Sequence, residues 1–275
     1  MCAIFGLGFM KNHRIKNDKL IRNFLRQLIV ENKIRGMDAT GLAYVSQSDI
    51  NVIKKNVPGN VFINLREYDA AEKRHMTMSE SRFDGILPPI AVIGHSRYKT
   101  KGSELNNVNN HPIVRNNVIG VHNGCLNNHD NLFNVYEKVF KRNGEVDSEI
   151  IFALIEYFAG KLKIHDAIDK ATAAISGSLA CAMVVRQQPH IVWLFRRQSP
   201  CDIIIYKRVG LLVWASNFRT IENAAIDYPD LGKGTRIDLI PNTGVGIDLH
   251  RNIVHKFGVS DYKQTAHLTA HNGIP

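Results

Sequence analysis

Cys2 is the first residue in this chain with chemistry to offer. It follows an initiator methionine, and its small side chain leads us to expect that Met1 is removed, leaving Cys2 with a free α-amine. A thiol with a pKa of about 8.5 and an α-amine of about 7.7–8.0 are well matched for proton exchange. The amine, neutral near physiological pH, can take the thiol proton and later hand it to a leaving amine. An N-terminal cysteine therefore brings its own base. The plainer reading is that an early cysteine in an apolar stretch is a small buried hydrophobe, so the chemistry must be supported by other residues.

Four further segments supply that support. They are Arg35-Gly36-Met37-Asp38-Ala39-Thr40-Gly41; Gly94-His95-Ser96-Arg97-Tyr98-Lys99-Thr100-Lys101-Gly102, followed by Asn110-His111-Pro112; His122-Asn123-Gly124; and Val146-Asp147-Ser148-Glu149. Hydrolysis of a side-chain amide needs an activated nucleophile and donors arranged for a tetrahedral oxyanion. A free amino acid also carries an α-carboxylate and an α-ammonium, which need opposite charges held apart. Arg97, in a loop after a strand, suits a carboxylate clamp. Asp147, at a helix start, suits an ammonium. Asn123 offers an amide donor, and Gly124, lacking Cβ, lets a backbone N–H come close. Each residue also has a structural reading: a surface ion pair for Arg97, an N-cap for Asp147 and Ser148, a turn for Asn123-Gly124.

These residues need a scaffold. Residues 2–9 read as a buried strand. A helix follows over 18–33, with Leu20, Phe24 and Leu28 in one row and Ile21, Leu25 and Ile29 in the next. Gly36 stands where a helix-terminating glycine belongs. Short strands are expected at 41–46, 50–55 and 60–64, and a polar surface insertion at about 65–89. Strands at 90–95 and 117–122 flank a loop. Helices near 132–140, 150–158 and 164–175 come next. Strands at 178–186, 190–195, 202–206 and 210–215, a short helix at 217–226 and two or three late strands finish the chain. Strand blocks are segregated from helix blocks, which argues for packed layers and against alternating βαβ units. We expect an α+β fold with two sheets between helix layers, as one domain over 2–275.

The bulk composition sets limits. With 275 residues, 44% hydrophobic, the chain can bury a substantial core. No apolar run reaches the roughly 18 residues needed to span a bilayer, so no membrane association is expected. Cys2, Cys125, Cys181 and Cys201 form no CxxC pair or zinc pattern, and a large disulfide-poor chain reads as cytoplasmic. None of the 12 histidines shows metal-ligand spacing, so no metal and no cofactor is expected. The net charge of +10 leaves room for an anionic partner. Nucleic acid is only weakly supported, because the basic residues are scattered.

Taken together and in order, these segments resemble the class II glutamine amidotransferases of the N-terminal nucleophile hydrolase group. Glutaminase domains of that family begin Met-Cys-Gly-Ile and carry Arg-Gly-x-Asp-Ser-x-Gly, Gly-His-x-Arg-x-x-Thr, Asn-x-His-Pro, His-Asn-Gly and a later Asp-x-Glu. Lys55–Val61, the Arg196-Arg197 and Pro200 turn, Ala215-Ser216 and residues 232–256 extend the likeness over nearly the whole chain. The resemblance implies a four-layer αββα sandwich. It implies Cys2 as nucleophile with its α-amine as base, Asn123 and Gly124 as the oxyanion hole, and Arg97 and Asp147 as binders of the glutamine α-carboxylate and α-ammonium. Thr100 belongs to the glutamine loop, and Arg35 orders the N-terminal loop. This chain departs from the pattern at Ala3 (usually Gly), Ala39 (usually Ser), Cys125 (usually aliphatic) and Asn217 (often Glu). The expected reaction is glutamine to glutamate and ammonia through a Cys2 thioester. A stand-alone glutaminase domain would pass ammonia to a separate synthase subunit. A hydrolase of another amide, or a non-catalytic binding module on the same fold, are the alternatives.

Overall fold

The structure is a computed structural model, which describes residues 2–11, 13, 18–76 and 90–262. Among them the strands are β1 (Ala3–Phe9), β2 (Ala39–Val45), β3 (Ile50–Lys55), β4 (Ala91–Arg97), β5 (Ile113–Val114), β6 (Val118–Leu126), β7 (Gly177–Val185), β8 (Gln188–Arg196), β9 (Asp202–Tyr206), β10 (Leu211–Ala215), β11 (Thr235–Ile237), β12 (Thr243–Asp248) and β13 (Ile253–Gly258). The helices are α1 (Asp18–Asn32), α2 (Gly59–Phe62), α3 (Arg66–His75), α4 (His129–Val135), α5 (Glu149–Ala159), α6 (Ile164–Ala174) and α7 (Phe218–Ala225).

The strands make two antiparallel sheets, ordered β11-β9-β10-β1-β4-β2-β3 and β13-β12-β8-β7-β6-β5. Side chains alternate between the faces of a strand, and the core divides accordingly. Phe5, Leu7 and Phe9 of β1 point outward onto α1, where Ile21, Phe24, Leu25 and Leu28 meet them. Phe152 and Ile155 of α5 and Ile168 of α6 cover the outer face of the second sheet. Between the sheets lie Ile4, Ile93, Ile119, Val121, Ala182, Leu194 and Trp214. The result is the four-layer αββα sandwich, an α+β fold. Each such large apolar side chain, taken fully out of water, contributes about 1.5–3 kcal/mol.

The alternation also sets which residues face the gap at its open end. Ile4 is an inner residue of β1, so Cys2, two positions earlier, has the same parity. Ile93 makes His95 and Arg97 inner, Val121 makes Asn123 inner, and Trp214 makes Ser216 inner.

Several local expectations are revised. Residues 59–62 form a helical turn after Pro58 and not a strand; the short apolar run Val61-Phe62-Ile63 cannot distinguish the two by periodicity. Phe62 there packs edge-on to Tyr68, ring centroids 5.3 Å apart. The helix expected near 132–140 begins at His129 and ends at Val135. Gly36 does close the helical turn that follows α1, its N–H donating to the Lys33 carbonyl, but in an extended conformation, φ −166°. Its lack of a side chain serves packing instead: a Cβ there would lie 2.4 Å from the Arg97 carbonyl carbon. Within the polar stretch 65–89, α3 buries Tyr68, Glu72 and His75. Residues 77–89 lie outside the described set.

Candidate active site

The N-terminal end of β1 and the C-terminal end of β4 are antiparallel neighbours, Ala3 opposite Ser96. That register puts Cys2 beside Arg97 and Tyr98. Cys2 is half-buried, and its Sγ lies 3.4 Å from the Tyr98 N–H and 3.3 Å from the Tyr98 carbonyl oxygen. Burial pushes the Cys2 thiol up; the Tyr98 hydrogen bond and the Arg97 charge oppose that, and Asp147 adds to it. Arg35, in the turn after α1, donates from Nε to the Cys2 carbonyl at 3.1 Å. The Arg35-Gly36 segment is thereby folded against the start of β1.

Arg97 is buried, with 3% exposure. It donates to Asn110 Oδ1 at 2.7 Å and to the carbonyls of Lys101 and Gly102 at 2.6 and 2.8 Å. Three of the five guanidinium N–H groups are thus directed into the loop between β4 and β5. Burial works against its charge, which Cys2, Glu104, Asp38 and Asp147 support. Thr100 lies exposed in the same loop. The loop is fastened at several points: Lys99 N–H to Asp38 at 2.6 Å, Lys101 to Asp130 at 2.7 Å, and Asn109 to Glu145 at 2.9 Å.

The second sheet contributes Asn123 and Gly124 from β6. Asn123 Nδ2 reaches across the gap to Ser216 Oγ at 3.3 Å. Gly124 has φ +155°, and a Cβ there would sit 2.0 Å from the Ser178 carbonyl oxygen on the neighbouring β7. No larger residue fits that approach.

Asp147 precedes α5, whose N-cap residue Ser148 makes no side-chain cap bond. Asp147 Oδ2 accepts the Leu126 N–H at 2.8 Å, so the carboxylate is tied to the end of β6. Ser148 Oγ lies 2.8 Å from His122 Nδ1 and 3.3 Å from Asp147 Oδ1. His122 Nε2 faces the Ser178 carbonyl at 3.3 Å. A carbonyl can only accept, so Nε2 carries the proton and Nδ1 receives the shorter Ser148 bond. Burial lowers the His122 pKa, with the nearby Asp147 opposing.

The structure thus gathers Cys2, Arg35, Arg97, Asn123, Gly124 and Asp147 at one end of the inter-sheet gap, with Thr100 farther out on the loop. Sequence reasoning placed His95 and Ser216 in motifs but gave neither a role. His95 Nε2 donates across the gap to the His122 carbonyl at 3.0 Å. The available signal was parity: both are polar residues at inward positions of otherwise apolar strands.

Beside Cys2 lies a groove of about 480 Å³ lined by the apolar Ile34 and Met37, by Tyr98, and by the polar Arg35, Asp38 and Asn217. A cleft of about 530 Å³ elsewhere, near Arg115, Phe140 and Tyr157, contains none of the residues above. Among the described residues no three His, Cys, Asp or Glu side chains converge as a metal ion requires. No helix there is long and apolar enough to cross a membrane.

Comparison with known proteins gives a consistent picture. No protein-family model matches the chain. It is similar to glutamine–fructose-6-phosphate aminotransferase (isomerizing) of Staphylococcus aureus, 28% identical over 234 residues, covering 84% of this chain and 34% of that protein. The enzyme of the same name from Pyrobaculum aerophilum is 28% identical over 228 residues, 80% and 33% of the two chains. The chain spans about a third of the length of these curated relatives. Among solved structures, the glutamine phosphoribosylpyrophosphate amidotransferase of B. subtilis superposes with a TM-score of 0.67 at 16% identity, over 94% of this chain and 49% of that one. A glutamine aminotransferase class-II domain protein from Silicibacter pomeroyi superposes with a TM-score of 0.54 at 13% identity, over 94% and 100%. At these identities the superpositions speak for the fold.

Proposed function

We propose that this chain, similar in sequence to the glutamine–fructose-6-phosphate aminotransferases and in fold to class II glutamine amidotransferases, acts on the amide carbon–nitrogen bond of glutamine and hydrolyses it to glutamate and ammonia through a thioester on Cys2. The observation that carries the reading is the juxtaposition of Cys2 with Arg97 on one sheet and Asn123 on the other.

In this reading Met1 is removed and the α-amine of Cys2 takes the thiol proton. The need for a base follows from the burial that holds the thiol protonated. Sγ attacks the side-chain amide carbon, and the carbonyl oxygen becomes an oxyanion. Asn123 Nδ2–H and the Gly124 N–H stabilise that charge. Collapse of the adduct breaks the carbon–nitrogen bond. The leaving nitrogen takes the proton from the amine and departs as ammonia. Water then attacks the thioester, giving glutamate and restoring the thiol.

Recognition of a free amino acid falls to Arg97 and Asp147. The two Arg97 N–H groups not directed into the loop take the α-carboxylate, and Asp147 takes the α-ammonium. Thr100 closes over the substrate with its loop, and Arg35 holds the nucleophile strand by the Cys2 carbonyl. The domain is taken as 2–275. The ammonia passes to an acceptor-activating synthase, in a separate subunit. The cytoplasm is the proposed compartment, which four free thiols favour.

The test is glutamate release from purified protein, beside Cys2→Ala, after intact mass has verified loss of Met1. Glutamate from the wild type and none from the variant supports the reading. A correctly processed wild type that neither releases glutamate nor is labelled at Cys2 by diazo-oxo-norleucine overturns it.

A further inference from the structure

Ser216 touches both halves of the proposed catalytic apparatus. It follows β10, whose neighbour in the first sheet is β1. Its N–H donates to the Ile4 carbonyl at 2.9 Å. Its Oγ accepts the Ile4 N–H at 3.0 Å. Both backbone groups of Ile4, two residues from Cys2, are therefore held by one residue. The same Oγ accepts Asn123 Nδ2 across the gap at 3.3 Å. Ser216 is 1% exposed and Asn123 3%, so water does not substitute freely for these contacts.

Asn123 needs such a contact. His95 fixes the peptide before it, through the His122 carbonyl, but a peptide plane does not set a side-chain torsion. The terminal torsion of asparagine is broad and poorly determined by local sterics. Among the described residues, the bond to Ser216 is the one hydrogen bond that the Asn123 side chain makes. It uses one of the two Nδ2 hydrogens and leaves the other for an incoming oxygen.

We propose that Ser216 is a positioning residue that registers the Asn123 amide against the nucleophile strand, so that the oxyanion donor and Cys2 hold a constant separation. This rests on the glutaminase reading, in which Asn123 stabilises the oxyanion. Ser216 itself meets no reacting atom. Its removal changes where the donor points and leaves substrate recognition by Arg97 and Asp147 alone.

The test is a double-mutant cycle on glutamate release, with Ser216→Ala, Asn123→Ala and the double variant. Losing an oxyanion donor outright costs about 10²–10³ in kcat. Misaiming it by Ser216→Ala is expected to cost about 10- to 100-fold in kcat, with KM within about threefold. In the Asn123→Ala background the same change is expected to cost less than about twofold, because its target is gone. Ser216→Thr, which keeps the hydroxyl, restores most of the rate. Alkylation of Cys2 by iodoacetamide, which needs no oxyanion donor, stays at the wild-type rate. Equal losses in both backgrounds, or an unchanged kcat in Ser216→Ala, overturn the proposal. Should Ser216→Ala fail to fold, Ser216→Cys, close in volume but a weak acceptor, takes its place in the cycle with the same two readings. A wild type without Cys2-dependent turnover overturns the underlying glutaminase reading instead, before any Ser216 variant is compared.

Discussion

His95 and His111 stack with ring centroids 4.1 Å apart between the sheets, and His95 Nε2 holds the His122 carbonyl at 3.0 Å. Burial is the first cause in all three rings. It brings His95 down to about 3 and His111 well below the usual value, with the neighbouring His122, Arg97 and Lys54 acting the same way on His111. It lowers His122 against the opposing Asp147. The sign follows from proton counting: as pH falls below about 6.5, the unfolded chain binds protons that the folded chain refuses. Stability should therefore fall from pH 6.5 towards about 3, each ring contributing up to about 1.4 kcal/mol per pH unit. Denaturant melts between pH 7.5 and 4.5 measure it, and His95→Gln should flatten the slope. Asp130, held at about 2 by Lys101 and Arg142, adds a further loss only below about 4, outside the range of these melts. A flat profile between pH 7 and 5 would contradict the assignment.

The Cys2 thiol is predicted to react as a thiol, not as a preformed thiolate. Burial raises its pKa, so iodoacetamide labelling should climb about tenfold per pH unit from 7 towards 9 without a plateau. Cys2→Ser measured in parallel subtracts the exposed Cys125. A plateau near pH 6–7 would mean that a charge partner outweighs burial.

Asp147→Asn keeps an acceptor for the Leu126 N–H while removing the charge. KM for glutamine should rise about 10- to 100-fold, corresponding to about 1.4–2.8 kcal/mol, with kcat changed much less. A glutamine analogue lacking the α-amino group should not distinguish the variant from the wild type. If it does, Asp147 is structural.

Gly124→Ala should be among the most damaging small substitutions. Its Cβ would meet the Ser178 carbonyl at 2.0 Å, on backbone that has no room to retreat between paired strands. We expect a loss of about 2–4 kcal/mol, seen as a lower Tm. A Tm within about 2 °C of wild type would show that β6 and β7 can separate there.

The order of the motifs disclosed the fold class, and the strand and helix periodicities located most elements to within a few residues. The failures are instructive. Residues 59–62 carry an apolar run too short to declare its period. Gly36 ends the helical turn after α1 as its position suggests, but what requires glycine there is the backbone of Arg97, 61 positions away in sequence. Asp147 and Ser148 matched an N-cap, whereas Ser148 makes no cap bond and one Asp147 oxygen accepts the N–H of Leu126 on a strand.

Sequence alone determined which chemistry was on offer: a thiol at position 2, an amide beside a glycine, an arginine and an aspartate, each in a motif whose composition is local. It also determined which faces were apolar, because alternation and helical periodicity are properties of neighbours in the chain. Tertiary structure decided what those groups touch. Ser216 and Asn123 are 93 residues apart, and Arg97 spends two of its donors on the carbonyls of Lys101 and Gly102 and a third on the Asn110 side chain, all in the loop it anchors. Such contacts depend on two sheets closing at about 10 Å with one particular register, and that register is set by the whole core at once and not by any segment of the chain.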